Sequence, residues 1–261
     1  MRRIFSGAVF LFSALLLLLC VSGSHGKQVE VNSLGLDASA IGEILKKADQ
    51  ARGNLDGIKW EVSILSAENN GSDSMVFNVK ARGFDTLATS LSPPKDKGNK
   101  VLMVNGNMWF YKPGLSKPVP ISTRQKLMGT ASYGDIAATN YYRDYDATLL
   151  RDETIDGEAC YVFDLKARTP TATYEHIRYW ISISRKVGLK AEYFTVSGKK
   201  IKSARMHYNK DVDLDGTRRP FISNIHISDA FTTGYTTILK FDKPALATLP
   251  NHIFNRNLLR N

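Results

Sequence analysis

One segment of the chain has the residue types and spacing of the first half of a calcium-binding loop. Asp211, Asp213 and Asp215 alternate with apolar residues and precede Gly216, as in the loop of an EF-hand. The twelfth position of such a loop supplies a bidentate carboxylate, but the chain has Ile222 there. The flanking residues alternate like strands. We therefore interpret the segment as an Asp-Gly turn between two strands, and we predict no metal site.

The other reactive side chains also lack a catalytic arrangement. Cys160 begins a strand-like run and has no basic neighbour in the sequence that would favour its thiolate. The sequence contains neither a nucleophile elbow nor a phosphate-binding loop. The later histidines are well separated, without the spacing of a zinc site: His176, His207, His226 and His252. We predict that the protein is not an enzyme and needs no cofactor.

The first 26 residues have the form of a secretory signal peptide. Arg2 and Arg3 precede a long apolar stretch, and small residues lie just before Lys27, where we expect cleavage. One alternative is a signal anchor that stays in the membrane. Another is lipid anchoring at Cys20, although Leu19 stands where a small residue is typical. The sequence therefore predicts an exported protein.

Removal of the signal peptide would leave residues 27–261, which is enough for one domain with a sizeable core. The formal net charge of +10 would fall to +8, and the positive charge is dispersed. A basic exported protein favours anionic lipid surfaces, whereas nucleic acid is not an expected partner. Cys160 would be the remaining cysteine, so the fold must be stabilised by its core. We expect a single domain and a monomer.

Period-two alternation dominates the chain after one amino-terminal helix. Asp37 can cap a helix in which Ile44 and Leu45 lie on one face, and Gly53 can end it. Most later segments alternate apolar and polar residues between short turns. We predict a mainly β (α+β) fold with a strongly curved antiparallel sheet, or incomplete β-barrel, of about ten strands. Residues 112–146 break this alternation and can form short helices, which we expect to cover the concave side of the curved sheet.

One hairpin is apolar on both faces. Asn105 and Gly106 favour a two-residue turn between its strands, because both residues accept a positive φ. Side chains alternate between the two faces of a strand, and here neither face is polar. A second layer must therefore cover the second face. We expect the face that carries Leu102, Trp109 and Tyr111 to line a cavity beneath the covering helices.

Aromatic and methionine side chains are spread over many strands, in excess of what one helix can cover. Few polar groups converge with them, which is typical of an apolar cavity with an adaptable lining. Ordinary core packing is the alternative for any one of these residues. We predict a lipid-binding cavity lined by Trp60, Val62, Ile64, Met75, Phe77, Val79, Leu102, Trp109, Tyr111, Phe163, Leu165, Tyr179, Ile181, Tyr193 and Ile225.

Four segments in order resemble the outer-membrane lipoprotein-sorting proteins of the LolA type. The segments are the helical IGEILKKAD, the strand pair NKVLMVNGNMWFYKPGLSKPVPIS, the run LMGTASYGDIA and the strand-turn-strand unit YDATLLRDETIDGEACYVFDL. Together the resemblance covers most of residues 37–258. The sequence is similar to the broad LolA-like branch rather than to the LolA carrier itself.

The resemblance implies an incomplete barrel whose helices form a lid over a hydrophobic cavity, and residues 112–146 are the expected helical lid. It further implies a periplasmic carrier that binds the acyl chains of lipoproteins or lipids and moves them toward the outer membrane. The implied partners are an inner-membrane transporter and an outer-membrane acceptor. The alternative is a sensor of the same fold that binds lipidated ligands and signals to a membrane partner. LolA carriers hold the lid closed with a sheet arginine, but Arg82 is out of register with that motif, so we do not assign it this role.

Overall fold

The computed structural model describes residues 35–68, 71–137, 140–214 and 216–260. The predicted signal peptide, its cleavage before Lys27 and the alternative anchoring at Cys20 lie outside these residues. None of the described helices is long and apolar enough to cross a membrane.

Strands make up most of the described chain. The helices are α1 (Ala38–Gln50), α2 (Tyr133–Ala137) and α3 (Tyr141–Asp144), with 3₁₀ turns at Pro94–Asp96, Asn251–Phe254 and Arg256–Leu258. The first eight strands are β1 (Ile58–Glu68), β2 (Gly71–Arg82), β3 (Asp85–Ser92), β4 (Lys100–Val104), β5 (Asn107–Tyr111), β6 (Val119–Ile121), β7 (Lys126–Met128) and β8 (Ala131–Ser132). The others are β9 (Tyr145–Ile155), β10 (Glu158–Ala167), β11 (His176–Ser182), β12 (Gly188–Phe194), β13 (Lys200–His207), β14 (Lys210–Leu214), β15 (Thr217–Phe221), β16 (Asn224–Asp229) and β17 (Thr236–Leu246).

One strongly curved antiparallel sheet contains thirteen of these strands, in the order β6-β5-β4-β3-β2-β1-β17-β16-β13-β12-β11-β10-β9. The sheet does not close, so β6 and β9 form its two edges. The strand pairs β7-β8 and β14-β15 stand apart from it. The predicted fold class is confirmed, although the sheet has more strands than the ten expected, because short strands such as β6 leave little alternation in the sequence.

The inner face of the sheet is built by the alternation of side chains along each strand. Trp60 of β1 lies opposite Val79 of β2, and Val62 lies opposite Phe77. All four side chains are buried, with at most 4% of their surface exposed. Cross-strand partners point to the same face, so apolar residues at every second position produce one continuous apolar surface.

Helix α1 packs against this inner face, as its pattern predicts. The carboxylate of Asp37 accepts a hydrogen bond from the amide of Ala40 at 2.7 Å and caps the first turn. Ile44 and Leu45 are buried against the sheet. After the helix, Gly53 has φ +107, and a Cβ atom there would lie 2.9 Å from the Trp60 ring. Gly53 therefore allows the chain to pass closely over the inner face.

The hairpin of β4 and β5 has the predicted turn, but the assignment of its faces is corrected. Asn105 and Gly106 have positive φ values of 50° and 75°. Leu102, Trp109 and Tyr111 lie on the outer face, away from the interior. There they pack against the carboxyl-terminal residues Leu249, Phe254 and Leu259. The carboxyl-terminal segment is thus the second layer, and the opposite face of the hairpin joins the interior.

Candidate functional site

Twelve of the fifteen residues predicted to line a cavity come together on the inner face of the sheet. Eleven are buried in one cluster, and Met75 packs against its margin. The buried eleven are Trp60, Val62, Ile64, Phe77, Val79, Phe163, Leu165, Tyr179, Ile181, Tyr193 and Ile225. Leu102, Trp109 and Tyr111 belong to the separate outer cluster. Side chains alternate between the two faces of a strand, and these three lie on the face that points away from the interior. That the inner residues contact lipid stays a prediction.

The same cluster contains residues that the sequence analysis did not select for the cavity. Met103 and Met108 point inward from the hairpin, Met206 does so from β13, and Phe221 of the separate strand β15 joins the cluster. Met103 and Met108 point inward because the carboxyl-terminal segment covers the opposite face of the hairpin. That information is absent from the local pattern, since both faces of the hairpin are apolar.

A covering segment lies across the inner face, within residues 112–146. It consists of β7, β8, α2 and α3, and we call it the lid. Ile136 of α2 and Tyr141 of α3 are each 3% exposed and belong to the interior cluster. The Tyr141 ring packs edge-on against Tyr179 of β11, with 5.2 Å between ring centroids. The lid therefore contributes to the core in this conformation.

One buried ion pair connects the lid to the sheet. Lys202 Nζ of β13 lies 2.7 Å from Asp135 Oδ2 of α2, and the two side chains are 8% and 7% exposed. Tyr174 donates its hydroxyl to Asp135 Oδ1 at 2.6 Å, and the Ser132 amide donates to Oδ2 at 2.7 Å. Burial opposes ionisation of Asp135. The Lys202 charge and these hydrogen bonds outweigh burial, so the pKa of Asp135 lies below its ordinary value.

A second buried polar contact joins α1 to the lid. Asp49 Oδ2 accepts a hydrogen bond from the Tyr142 amide of α3 at 2.8 Å. Burial raises the pKa of Asp49 to about 7, against the opposing effects of this hydrogen bond and of the Arg52 charge. The Arg52 guanidinium lies 4.9 Å from the centroid of the Tyr141 ring. Deprotonation of Asp49 thus occurs close to neutral pH, at the contact between α1 and α3.

A cleft of about 1070 Å³ opens between α1, α3 and the edge strand β9. Its apolar wall includes Leu45, Tyr145 and Leu149, and all three also belong to the buried interior cluster. Arg143 and Arg168 lie on its rim. The full lining consists of Leu36, Ala38, Ile41, Gly42, Leu45, Phe84, Tyr142, Arg143, Tyr145, Asp146, Ala147, Thr148, Leu149 and Arg168. The wall of the cleft therefore shares side chains with the buried interior, next to the edge strand β9.

Comparison with solved structures shows the family. The LolA superfamily protein NE2245 from Nitrosomonas europaea is 31% identical and has a TM-score of 0.73, and the match covers 82% of this chain and 97% of that one. The chain belongs to the LolA superfamily. A family model described as "Uncharacterized protein" matches residues 84–261, and no curated protein matches the chain.

Two further structures share the LolA-superfamily fold at lower identity. An outer membrane lipoprotein-sorting protein domain from Vibrio parahaemolyticus is 18% identical with a TM-score of 0.72, and the match covers 84% of this chain and 98% of that one. A DUF1329 family protein from Desulfovibrio piger is also 18% identical with a TM-score of 0.71, with 85% and 98% covered. The resemblance to the LolA type is therefore confirmed.

In this LolA-superfamily protein, Arg82 holds the carboxyl-terminal segment rather than the lid. Its guanidinium Nη1 donates hydrogen bonds to the Leu249 carbonyl at 2.9 Å and to Asn251 Oδ1 at 2.6 Å. The guanidinium also lies 5.0 Å from the centroid of the Phe254 ring. Arg82 therefore stabilises the layer outside the hairpin, and Lys202 is the cation of β13 that contacts the lid.

Proposed function

We propose that this protein is a periplasmic carrier that binds the acyl chains of lipoproteins or lipids and moves them toward the outer membrane. Membership of the LolA superfamily supports the proposal. The observation that carries it is the cleft beside α1, because Leu45, Tyr145 and Leu149 make its wall continuous with the buried interior. An acyl chain that enters the cleft passes the arginines of the rim and meets the apolar wall behind them.

Burial of an acyl chain supplies the affinity without any chemical step. Each methylene group removed from water contributes about 0.8 kcal/mol. Methionine side chains are unbranched and adapt their shape to different ligands. Met75, Met103, Met108 and Met206 lie in or against the interior cluster. The proposed site would therefore accept chains of different length.

Loading a whole chain requires the interior to rearrange. Phe163, Leu165 and Ile181 are fully buried in the described conformation, so an entering chain must displace side chains or move the lid. Opening the lid would separate Lys202 from Asp135, and the loss of a buried pair is costly unless another interaction replaces it. We propose that an inner-membrane transporter drives loading and that an outer-membrane acceptor takes the cargo.

The proposal includes no catalytic step, and it treats the protein as a monomer. Cys160 is fully buried, and burial raises the pKa of its thiol to about 11. A thiol of this kind is almost entirely protonated at neutral pH and is a poor nucleophile. Its packing with Val162 and Trp180 is that of a small apolar residue.

The decisive experiment is extraction and mass spectrometry of the protein purified after export, followed by transfer of labelled lipid between donor and acceptor vesicles. The test variant is Leu149→Gln in the cleft wall. The control is Leu150→Gln, because Leu150 is the next residue of β9 and is 43% exposed. Placing an amide in the cleft costs at least about 1 kcal/mol, so lipid loading should fall roughly fivefold in the test variant alone.

The outcomes separate the candidate functions. Co-purified lipid that moves to acceptor vesicles supports the carrier. Lipid that binds but never transfers, even with membrane fractions present, favours the sensor alternative. A protein that carries no lipid and takes none from vesicles would contradict both.

A further inference from the structure

A second pocket lies at the carboxyl end of α1, away from the cleft. It has a volume of about 320 Å³, and we call it the basic pocket. Along α1, residues between Ala38 and Leu45 line the cleft and residues from Lys47 onward line the basic pocket, so the two sites lie along successive stretches of the helix. The lining consists of Lys47, Gln50, Ala51, Leu55, Ser184, Arg185, Lys186, Val187, Val212, Arg219, Pro220 and Phe221.

Strand register aims a cation from the β14-β15 hairpin at this pocket. Arg219 pairs with Val212, so both side chains lie on one face, together with that of Phe221. Asp211 lies on the opposite face, where its carboxylate is 3.8 Å from Arg218. Arg219 therefore lies on the face of the hairpin that is turned to the pocket, and the ion pair of Asp211 and Arg218 lies on the other face.

Positive charge accumulates at the pocket without a matching carboxylate in its lining. Four of the described lining residues are cationic, and none of them is acidic. Arg185 is paired with Glu158, at 2.8 Å from Nε and 2.6 Å from Nη2. Burial lowers the pKa of Lys186, and repulsion by the Lys47 charge lowers it further. An anion between them would relieve this repulsion.

The floor of the basic pocket is apolar and well packed. Val187, Val212 and Phe221 are 1%, 6% and 1% exposed. The Phe221 ring packs edge-on against Trp60 of the interior, with 6.0 Å between ring centroids. Lys186 Nζ donates to the Ile183 carbonyl at 2.6 Å, which fixes the ammonium at the pocket rim. A cationic rim above an apolar floor suits an anion that is attached to a short apolar group.

We propose that the basic pocket is a binding site for phosphate groups, in which Lys47, Lys186 and Arg219 hold the phosphate oxygens and the apolar floor accepts the carbon atoms next to them. Ammonium and guanidinium groups both form strong charge-assisted hydrogen bonds with phosphate. The site is independent of acyl binding in the cleft. The phosphate can belong to a lipid headgroup or to a small solute. A lipid headgroup also brings carbon atoms that contact the apolar floor, whereas inorganic phosphate does not.

Titration of the full exported protein with three probes tests the site. The probes are inorganic phosphate, dihexanoyl phosphatidylglycerol and, as the zwitterionic reference, dihexanoyl phosphatidylcholine. Calorimetry gives the affinities, and the amide resonances of Val187 and Phe221 report the location. The test variant is Lys47→Gln with Arg219→Gln. The control is Lys46→Gln with Arg218→Gln, which removes the same charge from neighbouring residues outside the pocket lining.

The expected result is that phosphate and phosphatidylglycerol bind and shift both amides. The test variant should weaken this binding about tenfold, and the control should change it less than about twofold, because direct contacts dominate over the general field. Tighter binding of phosphatidylglycerol than of phosphate identifies a headgroup, and equal binding identifies a solute; both support the site. No shift with either probe, or equal weakening in both variants, would overturn it. Lipid loading of the same variants reports the carrier proposal separately.

Discussion

At the scale of single residues, Asp49 couples protonation to the contact between α1 and the lid. The side chain is 2% exposed, and its carboxylate accepts the Tyr142 amide. The folded-state pKa of about 7 lies above the ordinary value of 3.8. Between these two values, the folded protein retains a proton that the unfolded chain has released. Stability from this group is therefore highest at low pH and falls as the pH rises toward 7.

We expect Asp49→Asn to remove this dependence. The amide oxygen of asparagine can still accept the Tyr142 hydrogen bond, but it cannot acquire charge. The free energy of unfolding of the unmodified protein should fall by up to about 1.4 kcal/mol per pH unit between roughly pH 4 and 7, relative to that of the variant. Urea unfolding from pH 4 to pH 8 measures the difference. The control is Asp146→Asn, at a carboxylate that is 73% exposed. Parallel pH profiles for Asp49→Asn and the unmodified protein would refute the coupling.

The strand pattern can predict only one member of the buried pair between Lys202 and Asp135. Lys202, Ala204 and Met206 stand at every second position of β13, so their side chains point to the same, inner face. The alternation alone therefore places a cation on that face. Its partner Asp135 lies 67 residues earlier in the chain, in a helix of five residues. The inward cation could be predicted from the pattern. The partner could not, because it depends on how the lid crosses the sheet.

At the scale of elements, the carboxyl-terminal segment has a structural role that its composition conceals. Phe254 is 4% exposed and lies in the outer cluster with Leu102 and Tyr111. Its ring also contacts the Arg82 guanidinium. The short 3₁₀ turns of this segment have no periodicity that a sequence pattern could reveal. Their packing explains how the outer apolar face of the hairpin is covered.

Phe254→Ala should therefore destabilise the protein strongly. Removal of a buried aromatic ring costs about 3 kcal/mol or more, because contacts are lost and a cavity remains. Leu258→Ala is the control, since Leu258 belongs to the same segment but is 41% exposed, and it should change the free energy of unfolding by less than about 0.5 kcal/mol. Urea unfolding followed by circular dichroism measures both. Similar small losses in the two variants would contradict a covering role for the segment.

At the scale of the whole molecule, alternation and turn residues were enough to predict a curved antiparallel sheet, whereas the lid was predicted from the resemblance to the LolA type. The inner face of β1 and β2 follows directly from the spacing of Trp60, Val62 and their partners. The number of strands did not follow, because β6 has three residues and includes Pro120. The location of the cleft depends on α1 lying beside the edge strand β9, a long-range arrangement that local patterns do not specify.

The close approach of the lid to the sheet depends on one residue. Gly129 lies in the turn between β7 and β8 with φ +53, directly above β1 and β17. A Cβ atom there would overlap the hydroxyl oxygens of Ser66 and Thr237, which are both buried. The neighbouring Thr130 amide donates to Thr237 Oγ1 at 2.8 Å, so a displaced turn also loses this hydrogen bond. The lid can thus be loosened without altering the interior side chains.

We expect Gly129→Ala to open the lid while the sheet stays folded. Hydrogen exchange at the amides of α2 should become at least about tenfold faster, since loss of about 1.4 kcal/mol of local stability has this effect. Exchange in β10 and β11 should not change. Gly114→Ala is the matched control, because Gly114 also has a positive φ of 96° but open space around it. If both variants exchange alike, backbone strain alone explains the effect. If only Gly129→Ala loosens α2, it should also release bound lipid faster, which links the lid to the proposed transport.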